Sequence, residues 1–267
     1  MAYTTIDDPS KYFNQVLYTG NLLAHPIAGL NHQPDLLWFK NRSTTNNFEV
    51  RDSSRGTDKG GVRLDDDTAE GTSTTRITSF DSDGFTLSTD PGANGNTNLM
   101  LAWSWKANGG TTTSNGASGD IKASVTQREN TAKFAICTYT GTGINSGQSH
   151  RVNHGLGVAP HLMFFKNRAT DGTDWVVYHH KNTAAPETDF LILNTNAATA
   201  DNVDKFADTA PNTSYATIGG DDNISSGSMV LYSWAEVQGY SKFGTYDGNG
   251  DASGPFIYLG FEPAYLI

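Results

Sequence analysis

Pro34-Asp35-Leu36-Leu37-Trp38-Phe39-Lys40-Asn41-Arg42 and Pro160-His161-Leu162-Met163-Phe164-Phe165-Lys166-Asn167-Arg168 are one nine-residue pattern written twice. Both end in Phe-Lys-Asn-Arg, 126 residues apart (166 minus 40). A repeat with that period has the length of a domain, so the chain reads as one module used twice. Within the first copy, Trp38, Lys40 and Arg42 share one parity and Leu37 and Phe39 the other, as in a β-strand.

Other segments repeat around this stretch. Tyr18-Thr19-Gly20 returns as Tyr139-Thr140-Gly141, and Met100-Leu101-Ala102-Trp103-Ser104-Trp105 as Met229-Val230-Leu231-Tyr232-Ser233-Trp234. The offsets drift from 121 (139 minus 18) to 129 (234 minus 105), a drift that loop insertions absorb. Strands are expected at 16–19, 48–51, 62–64, 99–106, 121–125 and 134–141, with a hairpin over 77–88 turning at Asp81-Ser82-Asp83-Gly84. Asp8 before Pro9 predicts a capped helical turn, and residues 195–210, around 202–206, read as one helical turn or a loop. Residues 107–120 lack apolar periodicity and read as a mobile linker. Residues 242–250, 255–261 and 263–267 begin a third copy, whose strands would complete a sheet in the same chain or in a neighbouring subunit.

The fold expected is all-β: two tandem antiparallel β-sandwich modules, jelly-roll or lectin-like, formed by internal duplication. Their bounds are 1–118, including a short N-terminal arm, and 119–238, with 239–267 as the partial repeat. Composition agrees. Charged residues are only 17% and glycines number 28, which suits short strands and tight turns better than long helices.

A formal net charge of −10 argues against nucleic acid, which needs a basic footprint, and against an anionic membrane. The first residues have neither basic start nor apolar core, so no signal peptide is read there, and no apolar run approaches membrane-spanning length. Synthesis in a cytoplasm is expected. The single cysteine, Cys137, excludes an internal disulfide and reads as a small buried hydrophobe.

Searching for chemistry gives little. Asp247-Gly248-Asn249-Gly250-Asp251 resembles the start of a calcium loop, but Ala252 and Tyr258 break the pattern, so it reads as a turn. Asp65-Asp66-Asp67 and Asp221-Asp222 leave loop calcium as a minor alternative; no cofactor is expected. His150, His154 and His179-His180 lack zinc spacing, and His154 reads as a loop hydrogen-bonder. No nucleophile elbow, phosphate loop or recurring glutamate pair appears. Trp103, Trp105 and Trp234 read as core, with a sugar-stacking platform as the alternative. Trp38, Lys40, Arg42, Lys166 and Arg168 are the candidate interface or ligand surface, the cations pairing with acidic neighbours or blunting strand ends in water.

The opening Ala2-Tyr3-Thr4-Thr5-Ile6-Asp7-Asp8-Pro9, the repeated Tyr-Thr-Gly and Lys-Asn-Arg, His154-Gly155-Leu156-Gly157-Val158-Ala159-Pro160 and Gly239-Tyr240-Ser241-Lys242-Phe243-Gly244-Thr245-Tyr246 together resemble a family of tailed-bacteriophage virion proteins. These are common in phages of cyanobacteria and marine bacteria and are described as tail-fibre-like or structural. The resemblance implies a non-enzymatic virion protein: a tail fibre, a tail or collar appendage, or an adaptor. It would assemble as a homo-oligomer with other virion proteins and take part in host adsorption. The alternatives are a capsid decoration protein, a module binding host surface glycan, or a glycan-degrading tailspike enzyme.

Overall fold

The computed structural model describes residues 4–73 and 75–267. A 3-10 turn at Pro9–Lys11 opens it, capped by the Asp8 carboxylate, which accepts from the Ser10 amide. The first half then runs β1 (Phe13–Thr19), β2 (His25–Ala28), β3 (Leu36–Asn41), β4 (Glu49–Asp52), β5 (Val62–Arg63), β6 (Ile77–Asp81), β7 (Gly84–Leu87), a one-turn helix α1 (Pro91–Asn94) and β8 (Leu99–Trp105). The second half runs β9 (Thr113–Asn115), β10 (Ile121–Lys122), β11 (Ser124–Glu129), β12 (Phe134–Thr142), β13 (His150–Asn153), β14 (Leu162–Asn167), β15 (Val176–His179), β16 (Asp189–Ile192), β17 (Ala200–Asp201), α2 (Val203–Phe206), β18 (Tyr215–Ile218), α3 (Asp222–Ser225) and β19 (Ser226–Trp234).

The protein is all-β, built from sheets packed as sandwiches and antiparallel throughout except for the short parallel pair β10–β13. The first half has a five-stranded sheet, β1-β8-β3-β4-β5, and a three-stranded one, β2-β7-β6. The second has an eight-stranded sheet, β17-β16-β15-β14-β19-β12-β11-β9, and a three-stranded one, β10-β13-β18. The order β1-β8-β3-β4-β5 is matched by β12-β19-β14-β15-β16. The two Phe-Lys-Asn-Arg strands, β3 and β14, therefore stand in like surroundings, each beside the long apolar strand.

Three cores hold the layers together. Leu37, Phe39, Ala102, Ile27, Phe85 and Leu87 fill the space between the first large sheet and its small partner. Met163, Phe165, Cys137, Leu231, Val152 and Ile218 do the same in the second half. Between the two large sheets lies the third core: Leu36, Trp38, Val50 and Trp105 from one side, Phe134, Phe164, Trp175, Tyr232 and Trp234 from the other. The small sheets are thus the outer layers and the large sheets the inner ones. Both faces of an inner sheet are covered, which is why β14 is buried at every position and β3 at all but Lys40. A strand with one wet face would show alternation instead.

The Tyr-Thr-Gly repeat has a steric cause. A Cβ on Gly20 would lie 2.2 Å from the Gly95 carbonyl oxygen, and one on Gly141 would lie 2.2 Å from that of Ser225. In each half the glycine lets the end of one strand pass against backbone near the start of the long apolar strand. Gly141→Ala is expected to destabilise the fold by about 1–3 kcal/mol, since backbone must move to make room. A denaturation midpoint unchanged from wild type would contradict this.

Three expectations need correction. Residues 107–120 are not a free linker: the Asp35 carboxylate accepts from the amides of Ala107, Gly109 and Gly110, and β9 pairs with β11. The stretches 21–33 and 142–157, where no strand is expected from the sequence, contain β2 and β13, which Pro26 and the polar composition of 150–153 mask. Residues 242–267 form no strand. Glycines and prolines punctuate this segment. It docks instead through Phe243 and through Tyr265, whose ring meets Phe13 at 5.4 Å and Trp103 at 5.9 Å.

Candidate functional site

The repeated Lys-Asn closes a loop. Lys40 Nζ donates to the Asn46 carbonyl at 2.6 Å, and Lys166 Nζ donates to the Thr173 carbonyl at 2.5 Å. Asn41 Oδ1 accepts from the Ser43 amide and Asn167 Oδ1 from the Ala169 amide, both at 2.9 Å. Each pair shapes the turn into the next strand by side-chain-to-backbone bonds. Of the five candidate surface residues, Trp38 and Lys166 are buried, at 3% and 0% exposure, so neither belongs to a surface. The reason is the second large sheet. Trp38 stacks on Phe164 across the third core, and the parity that Lys166 shares with Phe164 also faces that core. Lys40 lies over the Phe48 ring, 4.3 Å from its centroid. Arg42 is exposed.

Arg168 joins the seam between the halves. Its Nη1 lies 2.7 Å from Glu70 Oε2, while Glu70 Oε1 takes Arg55 Nη1 at 2.6 Å. Arg55 Nε reaches Asp52 Oδ2 at 2.5 Å, and the Tyr232 hydroxyl donates to the same oxygen at 2.5 Å. Trp175 Nε1 donates to the Arg63 carbonyl at 2.5 Å. These contacts join elements of both halves, so the cations at 55 and 168 bind the protein to itself.

Tryptophan exposure bears on ligands. Trp38, Trp105, Trp175 and Trp234 are buried, and only Trp103 is partly open. It lines a cleft of about 590 Å³ with Phe48, Leu64, Leu193 and Tyr265. Tyr265, Leu266 and Ile267 form part of its wall, so the C-terminal residues help to shape it.

Among the described residues, one group has the ligand types for a metal: His161, His180 and Glu236, with one candidate atom from each within 4.8 Å of the others. The three lie at the same end of adjacent strands, before β14, after β15 and after β19. The ladder fixes them there: the His180 amide donates to the His161 carbonyl at 2.9 Å, and the His161 amide to the Trp234 carbonyl at 2.8 Å. The imidazole centroids lie 4.2 Å apart with the planes tilted by 30°, and His180 Nε2 lies 3.7 Å from Glu236 Oε1. Burial and the neighbouring His180 hold the His161 pKa below its ordinary value. His161 stands in the organising stretch and His180 in the His-His pair, but Glu236 is 56 residues beyond (236 minus 180). No local spacing could have grouped them.

Other expectations about single residues hold. His154 is a buried loop hydrogen-bonder, and Cys137 is a free buried thiol whose pKa burial pushes up to about 12. Asp251 shapes a turn, accepting from the Ser253 amide. No helix among the described residues is long and apolar enough to cross a membrane.

The family model described as a domain of unknown function, DUF7483, matches residues 8–267, and the chain belongs to that family. No curated protein and no solved structure matches it.

Proposed function

We propose that this member of the DUF7483 family is a non-enzymatic structural protein of a bacteriophage particle: a tail fibre, a tail or collar appendage, or an adaptor. In this reading two copies of one ancestral β-sandwich unit form its body, at 1–118 and 119–238. It works by assembling with further copies of itself and with other virion proteins. The virion setting draws on the motif resemblance of the sequence.

The assembly draws on one observation: large apolar side chains left in water are concentrated in the C-terminal segment. Phe256 is 89% exposed, Tyr258 77%, Leu266 75% and Ile267 74%. Covering such residues is favourable by roughly 1.5–3 kcal/mol each, so the segment is primed for a partner. An edge suits it. In the second half β12 is flanked by β11, whereas β1 ends its sheet with Leu17 exposed. A segment from a second copy, laid beside β1, would extend that sheet as β11 extends the other.

Light scattering of the full chain tests this. The wild type is expected as an oligomer, and Phe256→Ser with Tyr258→Ser as predominantly monomer. A monomeric wild type would overturn self-assembly. Purified particles that carry none of the labelled protein under the electron microscope would overturn the virion assignment. The glycan alternative draws on Trp103 and Phe48 in the cleft beside Tyr265, where Trp103 is the one partly open tryptophan and an exposed pair of tryptophans is lacking among the described residues.

A further inference from the structure

We propose that His161, His180 and Glu236 form a binding site for a first-row transition-metal ion, zinc above all.

The argument rests on comparing the two halves at the same place in the sheet. In the first half the residue before β3 is Asp35, and the positions matching His180 and Glu236 are Ser53 and Ala107. Asp35 Oδ2 accepts from the Ala107 amide at 2.6 Å, and Asp35 Oδ1 accepts from the Ser53 hydroxyl at 2.6 Å. One acceptor ties the ends of three strands together. In the second half His161 does the same work, its Nδ1 accepting from the Glu236 amide at 2.8 Å. The scaffold therefore explains a single acceptor at 161. It does not require an imidazole at 180 or a carboxylate at 236, where serine and alanine suffice in the other half; here both groups also hold the Phe243 backbone, and Lys242 Nζ lies 4.0 Å from Glu236 Oε2.

Those surplus groups have the chemistry of a metal site. Two imidazoles and one carboxylate are a set that zinc, cobalt and nickel accept, whereas calcium and magnesium prefer oxygen alone. Three protein ligands leave one position open for water or a partner's side chain. The side chains stand on the ends of neighbouring strands rather than on separate loops, so their spacing is set by the ladder.

Backbone contacts also hold both rings. His180 Nε2 lies 3.1 Å from the Phe243 carbonyl, which can only accept, so that nitrogen carries the proton. The same nitrogen lies 3.7 Å from Glu236 Oε1, so an ion beside that carboxylate takes the Nε2 lone pair once the proton moves to Nδ1 and the Phe243 carbonyl is released. In His161 the Glu236 amide occupies Nδ1, so the neutral ring carries its proton on Nε2. Binding at Nε2 requires that proton to move to Nδ1 and the amide to let go. One hydrogen bond is exchanged for one metal–nitrogen bond. The Phe243 amide, which donates to Glu236 Oε1 at 3.0 Å, feels the same event. The site thus lies against the start of the C-terminal segment.

Cobalt(II) titration of the untagged full chain tests the site, with zinc added afterwards as competitor. Expected is one cobalt per chain with the visible bands of a low-coordinate ion, bleached by zinc. In amide spectra the Glu236 and Phe243 resonances should shift together on zinc addition. His180→Ala should weaken binding roughly 100-fold or more, since a direct ligand matters at least as much as the residues that orient ligands. His161→Asn keeps an acceptor for the Glu236 amide while removing the imidazole, so it separates lost folding from lost binding. It should fold and fail to bind. His179→Ala, adjacent in sequence but outside the group, should bind as the wild type does. Absence of cobalt bands, or binding that survives His161→Asn combined with His180→Ala, would overturn the proposal.

Discussion

Arg55→Ala is expected to cost about 3–5 kcal/mol of unfolding free energy, because it leaves the buried Asp52 carboxylate without its cation and takes one of two from Glu70. The Arg55 side chain is 1% exposed, between Asp52 at 0% and Glu70 at 9%. Its Nη2 also donates to the Val50 carbonyl at 3.0 Å. Removing the guanidinium leaves the Asp52 carboxylate with the Tyr232 hydroxyl and the Arg55 amide, and leaves Glu70 with Arg168. The large effect lies in the imbalance rather than in the pair: an intact buried network can contribute little net stability, yet breaking it exposes the full desolvation cost. Because the network and the third core span both halves, the loss should appear as a lower midpoint of one shared transition. Equilibrium denaturation measures it. Arg42→Ala, at the exposed counterpart of Arg168, should change stability by less than about 0.5 kcal/mol. Equal effects of the two substitutions would show that the seam is not held as described.

Acid should be the other strong perturbant. His154 is buried; its Nε2 faces the Asn212 carbonyl at 3.0 Å, and its Nδ1 accepts from the Leu156 amide at 3.1 Å. A carbonyl needs the proton on Nε2 and an amide needs the lone pair on Nδ1. The neutral ring satisfies both, and protonating Nδ1 would set one N–H against another. Burial pushes its pKa down to about 4. Burial does the same, also to about 4, for His150, neither of whose ring nitrogens has a hydrogen-bond partner. Since the folded values lie below the unfolded one, the unfolded chain binds more protons between the two. Stability is therefore full above the unfolded pKa and falls as pH drops from there toward the folded value. Between pH 7 and pH 5 the loss should be about 2 kcal/mol for each histidine. Aspartates with lowered pKa values, Asp66 and Asp204 among them, act below this window. Denaturant midpoints near pH 7 and near pH 5 check the effect, and His154→Gln, which cannot titrate, should remove about 2 kcal/mol of it, the rest belonging to His150 and to His32, His161 and His179, whose pKa values burial also lowers. Identical wild-type midpoints at the two pH values would contradict the account.

The repeat made much of the fold legible. Paired motifs located β1, β3 and β8 and their counterparts β12, β14 and β19, because alternation and apolar runs are local properties. The same logic placed Trp105 and Trp234 in a core. The candidate site was less legible. Lys40 and Lys166 drew attention as repeated cations, and their common role turned out to be a bond to a carbonyl in the following loop. The C-terminal segment resembles strands elsewhere in the chain but forms none within it, because a strand also needs a neighbour to pair with.

Sequence by itself determined an all-β chain, the strands that carry it, and which residues share a face of each strand. Tertiary structure alone decided what covers each face. Parity says that Trp38 and Lys40 point the same way, but only the approach of the second large sheet makes that direction an interior. It also decided that His161, His180 and Glu236 meet, since antiparallel register brings together the ends of strands lying far apart along the chain. The physical reason is one of range: side-chain direction follows from neighbouring dihedrals, whereas burial and convergence depend on partners that the local chain does not contain.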